Sequence, residues 1–210
     1  GDHVVVREAD GTVREVWNAF ERMEYDPEGD WQPGFYMADR NALDWSHVNG
    51  IAWDPVSDDL FITITAYDAL ARIDTATGTQ EWIVGTDYGD FDLAEGEAQA
   101  TARPHSIQPL ADDRVLVFNR GDTLHDPGAC SWASVLHVDT AQREVRTEET
   151  WYSEDCLLVS FLGQARQFDN GNVEVDWSSS GRLDEYTATG DQVRQLDLSL
   201  GAGFGFTERL

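Results

Sequence analysis

The chain has 210 residues, of which 41% are hydrophobic and 11% aromatic, with 8 Trp; this is ample for one packed domain and excludes a disordered tail. Against 40 acids stand 14 bases, every one an Arg, for a formal net charge of -26, a balance that repels nucleic acid and anionic membranes. No apolar run approaches the roughly 18 residues of a membrane span.

In chain order, "GDHVVVREAD" opens on a strand pattern rather than a signal peptide and carries no initiator Met, so the chain reads as processed or excised. "DGTVREVWNAF" returns as a second strand. A long polar, aromatic-bearing insert follows at 21–43, and another at 86–102; both read as loops covering one face. Between and after them the turn signals repeat. "IDTATGTQEWIVG" (73–85), "VDTAQREVRTEETW" (138–151) and "YTATGDQVRQLDL" (186–198) are strand, turn, strand, and resemble the opening hairpin. Each is preceded by another such pair: "GIAWDPVSDDLFITI" (50–64), "SIQPLADDRVLVFN" (106–119) and "ARQFDNGNVEVDW" (165–177).

Four short strands recurring about every 50–60 residues are the signature of a β-propeller blade. The spacing predicts an all-β fold of four-stranded antiparallel blades, in one domain over 1–210. Complete blades fall at about 46–86, 104–152 and 161–198, with end strands at 3–20 and 202–210. About four blades' worth of chain is present. It forms either a small four-bladed ring or part of a larger propeller whose other blades belong to a longer chain or an oligomer.

The acids are spread along the chain rather than blocked into a tail, which reads as an acidic surface adapted to high salt, as in a halophilic archaeon. A surface for cations or a basic partner is the alternative. Cys130 and Cys156 form one disulfide, which fits an extracytoplasmic or cell-surface protein, or remain two free thiols. No close His spacing or His/Cys cluster predicts a metal, and the acidic stretches "DPEGD" and "FDLAEGE" lack the ligand order of an EF-hand. Trp45, Trp53, Trp82, Trp151 and Trp177 read as blade packing.

The histidines carry the functional signal. His47, in "DWSHVNGIAWDP", stands just before the first strand of one blade, and His105, in "RPHSIQPL", just before that of the next. First strands line a propeller's channel, so both imidazoles are expected at one repeat position, facing the channel mouth. In the third blade Gly163 or Gln164 takes that place. His125 falls in an acidic loop, and His137 in an outer hairpin.

The runs "DWSHVNGIAWDPVSDDLFITITAYDALARIDTATGTQEWIVG" and "HSIQPLADDRVLVFNRGD" resemble the blade motif of the arylsulfotransferase (ASST) family, and "DGTVREVWNAFERM" fits the family's order ahead of them. The resemblance implies a six-bladed propeller that passes a sulfuryl group between phenols through a transient sulfohistidine, with no nucleotide cofactor. It places His47 and His105 among the active-centre histidines, with Asn49 and Arg120 as substrate-binding residues. Protonated His and Arg can stabilise charge on sulfuryl oxygens, and a neutral imidazole can act as nucleophile. The family's nucleophile comes from a later blade, where this chain shows no histidine. Two functions follow: an aryl sulfotransferase-like propeller acting on a small aryl sulfate or phenol, or a non-catalytic propeller that binds another protein at the surface of a halophile.

Overall fold

In the computed structural model, residues 1–26, 32–33, 43–121, 128–199, 203–204 and 207 are described below. His125, most of the 21–43 insert and most of the 202–210 end strand lie outside them.

The chain is all-β. Strands β1 (His3–Arg7) and β2 (Val13–Asn18) form a hairpin, followed by one helical turn, α1 (Ala19–Arg22). The Asn18 side chain accepts a 3.0 Å hydrogen bond from the Phe20 N–H and so starts that turn. Two-residue strands β3 (Gln32–Pro33) and β4 (Leu43–Asp44) pair with each other. The first full sheet has β5 (Val48–Asp54), β6 (Asp59–Ile64), β7 (Ala69–Asp74) and β8 (Thr79–Gly85) in sequential antiparallel order. After the two-residue β9 (Asp92–Leu93) comes the second sheet, with β10 (Pro104–Pro109), β11 (Arg114–Asn119), β12 (Trp132–Asp139) and β13 (Glu144–Tyr152). The third has β14 (Gln164–Gln167), β15 (Val173–Asp176), β16 (Arg182–Tyr186) and β17 (Gln192–Asp197).

The 86–102 insert packs Phe91, Leu93 and Ala100 against the core between the first two sheets. Its β9 runs parallel to β13 and widens the outer edge of the second sheet.

Alternation along the second strand of each sheet explains the stacking. In β6, Leu60, Ile62 and Ile64 pack toward Val4, Val16 and Trp17 of the opening hairpin, while Phe61 packs the other way, against Val115 and Val117. In β11, Leu116 and Phe118 turn toward Val173, Val175 and Trp177 of the third sheet. A strand buried on both faces reads as a continuous apolar run, which is why "LFITI" and "VLVF" lack polar alternation. β15 does alternate: its far side carries Glu174 and Asp176, both buried. Trp45, Trp82, Trp151 and Trp177 are buried in this packing, whereas Trp53 is exposed and bonds Asp58.

Candidate functional site

The first strands of the three sheets lie side by side, β5 against β10 and β10 against β14. Gly50 permits the first contact: a Cβ there would stand 2.7 Å from the His105 carbonyl oxygen. Side chains make the second, with the Ala165 N–H donating to Ser106 Oγ (3.0 Å) and the Gln167 N–H to Gln108 Oε1 (2.7 Å).

Backbone bonding defines equivalent positions in the sheets. Thr65 and Ala66 donate their N–H groups to the carbonyls of His47 and Ser46. In the second sheet Arg120 and Gly121 donate in the same way to Arg103 and Ala102. His47 is therefore the counterpart of Arg103, not of His105. Both hold left-handed backbone, with φ of 50° at His47 and 48° at Arg103. His105, second residue of β10, matches Asn49, second residue of β5. The shared repeat position expected of the two histidines is thus corrected to an offset of two residues. His47 immediately precedes β5, whereas His105 lies inside β10, one residue after its start at Pro104. Pairing of β14 with β15 carries the equivalences into the third sheet, where Gly163, Ala165 and Trp177 stand for His47, Asn49 and Thr65.

Each position is held from outside. Asp2 accepts from the Val48 N–H (2.9 Å) and the Ser46 hydroxyl (2.5 Å), bracketing His47, whose Nδ1 pairs with the Asp44 carboxylate. Asp68, itself left-handed at φ 48°, accepts from the Arg103 N–H and, at its carbonyl, from the Thr101 hydroxyl. Non-glycine residues adopt such backbone where the surroundings over-determine it, a pattern that clusters at functional sites. Asn49 donates 2.9 Å to Thr65 Oγ1, which in turn donates to the Pro104 carbonyl, so Asn49 ties the first sheet to the second.

His105 Nδ1 lies 2.9 Å from the Gly163 carbonyl oxygen. A carbonyl only accepts, so the proton sits on Nδ1. Burial, then the charge of Arg120, with a smaller push from His47, brings the His105 pKa down to about 4 against the Gly163 bond. The ring is neutral at pH 7. Arg120 is 8% exposed, and its Nη1 donates 3.1 Å to the Ser160 carbonyl. Its Nε has no partner among the described residues. Burial and the nearby Arg103 lower the Arg120 pKa to about 10, which Asp68 partly offsets. Arg120 stays charged at neutral pH, with a buried donor that meets no acceptor among the described residues.

Cys130 and Cys156 are bonded, with Cα atoms 4.9 Å apart. The bridge supports the same corner. Ser131 donates its N–H to the Leu157 carbonyl (2.9 Å) and its hydroxyl to the Arg120 carbonyl (2.7 Å), and accepts from the Val159 N–H (2.8 Å). This fixes the segment that brings Ser160 to Arg120.

Four basic side chains, His47, Arg103, His105 and Arg120, therefore converge on the inner edges of two adjacent sheets, in a chain of net charge -26. Arg103 escaped the sequence reading because only the hydrogen-bond register makes it the partner of His47. His137 belongs elsewhere: it pairs with Arg114 at the opposite end of β11 from Asn119, which neighbours this site. Among the described residues no group of three or more His, Cys, Asp or Glu could hold a metal ion, and no helix is long and apolar enough to cross a membrane.

The family model for arylsulfotransferase (ASST) matches residues 1–154, which contain all four basic residues. The chain belongs to the arylsulfotransferase (ASST) family. The matched segment ends two residues after β13, the last strand of the second sheet, so the third sheet lies beyond it. No curated protein matches the chain. Among solved structures it is similar to a functionally unknown protein from Desulfotomaculum acetoxidans (14% identity, 96% of this chain and 51% of that one, TM-score 0.55). It is similar as well to a β-propeller domain from Myceliophteria thermophila (13% identity, 93% and 54%, TM-score 0.55) and to a protein from Lactobacillus plantarum (12%, 93% and 50%, TM-score 0.51). At these identities the likeness is one of fold, that of a β-propeller. The chain spans about half the length of these structures.

Proposed function

We propose that the inner-strand site binds the sulfuryl group of a small aryl sulfate, as part of an arylsulfotransferase-like propeller. The observation that carries this reading is the unpartnered Nε of the buried Arg120 beside Arg103 and the neutral His105. A buried guanidinium whose basicity is lowered by a neighbouring one, as Arg120 is by Arg103, is stabilised by an anion placed beside it. A sulfate ester offers three equatorial oxygens for such donors. His47 supplies a further donor, and Asn49 holds its strand against the next sheet.

The setting is extracytoplasmic or at the cell surface. The Cys130–Cys156 bridge supports it, since disulfides persist in oxidising compartments. A halophilic source is supported by the excess of acids and the absence of Lys. The remaining blades come from a longer chain or a second subunit, as the half-length coverage of its structural relatives supports.

The second reading is a non-catalytic propeller that binds another protein. It is favoured by the third sheet, which presents Gly163 and Ala165 where the first two present His47 and Arg103, Asn49 and His105. Titration of Trp fluorescence with 4-nitrophenyl sulfate tests the choice. Saturable binding that weakens in Arg120→Gln supports the anion site; no binding at any donor concentration leaves the protein-binding module.

A further inference from the structure

The row of sheets is open at both ends, in complementary ways. On the first sheet, Ile51 and Trp53 of β5 lie across from Ile62 and Leu60, and so share the face on which those two pack against the opening hairpin. The hairpin meets that sheet through β2, which packs on β7 and β8, and leaves the inner strand uncovered. Ile51 is 57% exposed, whereas Ile107, its counterpart in the second sheet, is 7% exposed because the first sheet packs over it. Among the described residues β1 pairs with β2 alone. The hairpin is thus the outer half of a sheet, and the place of its inner half, over Ile51 and Trp53, is an exposed apolar face.

The other end carries an inner half without an outer one. Ser178, just after β15, donates its hydroxyl to the Phe204 carbonyl, as Thr65, just after β6, donates to the Pro104 carbonyl where β10 begins. Thr207 donates its N–H to Gln164 Oε1 (3.3 Å), as Gln167 does to Gln108 Oε1, and its hydroxyl to Glu174 Oε1 (3.1 Å). Phe204 and Thr207 therefore stand where the first strand of a fourth sheet belongs. Farther out, Leu196 lies across from Leu183; both face away from Tyr186 and the second sheet, and Leu196 is exposed. On the hairpin, Val5 and Val13 are exposed on the face opposite Val4 and Val16.

We propose that a second copy of this chain fills both gaps, head to tail. The segment holding Phe204 and Thr207 of one copy seats beside the partner's β1, over the partner's Ile51 and Trp53. The outer face of the partner's hairpin, with Val5 and Val13, packs on Leu196. One sheet then takes its inner half from one chain and its outer half from the other. The contact joins two different surfaces, so it recurs at the other end of the pair and closes a ring, with three complete sheets from each copy and two shared ones. The chain spans about half the length of the solved structures it resembles, and two copies supply the rest. This chooses between the two sources of further blades given above; it rests on the propeller fold and not on what the inner-strand site binds. Each copy has a net charge of -26, while the contact is made by apolar side chains, so salt that screens the like charges favours the pair.

Sedimentation velocity of the full chain in about 0.2 M and about 2 M KCl tests this. The expected result is a species of twice the 23.5 kDa chain mass, more abundant at the higher salt. Trp53→Glu and Leu196→Glu, one from each side of the contact, should each return the chain to monomer with unchanged far-ultraviolet circular dichroism. Tyr152→Glu, an exposed site on the enclosed second sheet, should leave the pair intact. In the parent chain, which needs no variant to fold, amide exchange of the peptide holding β1 should slow as the pair forms. A monomer at both salts overturns the proposal and leaves the further blades to a longer chain. A pair that survives both variants, or forms without slower exchange in β1, uses another surface and overturns it as well, as does an open assembly larger than two copies. Titration of the same samples with 4-nitrophenyl sulfate is read separately, so failure of either result leaves the other standing.

Discussion

Nδ1 of His105 and the carbonyl oxygen of Gly163 are 2.9 Å apart, a hydrogen bond that joins the inner strand of the second sheet to the entrance of the third. The residue that replaces an expected histidine thus orients the histidine that remains. Gly163→Ala tests this bond. Left-handed backbone and overlap with Phe118 together should cost about 2–4 kcal/mol, read as a lower urea midpoint. The anion site should weaken with it, because His105 loses its fixed tautomer. Unchanged stability would mean that the Gly163 backbone is not held as described.

The pH dependence of His105 has a definite sign. Its pKa falls from 6.5 to about 4 on folding, so between those values the unfolded chain binds the proton and the native one does not. The stability contribution is complete above pH 6.5 and is lost as pH falls toward 4. Binding of 4-nitrophenyl sulfate should stay level through pH 6.5 and tighten only near pH 4, where the His105 ring gains a positive charge beside the anion, followed by calorimetric titration across that range. A midpoint near 6.5 would show an ordinary, solvated imidazole.

Arg120 should dominate affinity. Replacing it with Gln removes a charged donor from a buried position and should weaken 4-nitrophenyl sulfate binding by about 10- to 100-fold. Arg103→Gln should weaken it less, since its side chain is partly exposed, and should raise the basicity of Arg120. Calorimetric titration at two salt concentrations reads both effects.

Asp176 titrates in the opposite sense to His105. Burial, helped by Glu174, raises its pKa from 3.8 to about 7, although the Ser178 N–H bonds Oδ1 at 2.8 Å. Between those values the native state holds a proton that the unfolded chain has released, so stability falls as pH rises from about 4 to about 7. Asp176→Asn keeps the Ser178 bond and should gain about 1–2 kcal/mol at pH 8, with little change at pH 4. Thermal melts at the two pH values check this.

The Cys130–Cys156 bridge spans 26 positions. A loop of that length should contribute about 3 kcal/mol through the unfolded state. The double Cys→Ser variant should melt lower and also bind the aryl sulfate less tightly, because Ser160 no longer meets Arg120 in a fixed place. Peptide mapping without reductant verifies the pairing.

Much of the architecture was legible in the chain alone. Turn residues at regular intervals and strands such as "VLVF" specify four-stranded sheets, because a strand buried on both faces must be apolar at every position. The pairing of "DWSHVNG" with "RPHSIQ" also pointed to the neighbourhood of the site. The finer alignment was not legible. His47 and His105 look equivalent by their distance from the next apolar run, yet Thr65 and Arg120 bond to His47 and Arg103. A two-residue offset leaves the inward and outward alternation of a strand intact while changing which side chains meet, so only the hydrogen-bond register could make Arg103 a site residue. Likewise, the composition at 163 reads as a missing histidine. The packing of Phe118 decides that no side chain fits there, and the fold turns the bare backbone into the partner that holds His105. Sequence determined the repeat and the residue types at the inner strands; the tertiary structure decided which of them converge, because convergence depends on contacts between strands far apart in the chain.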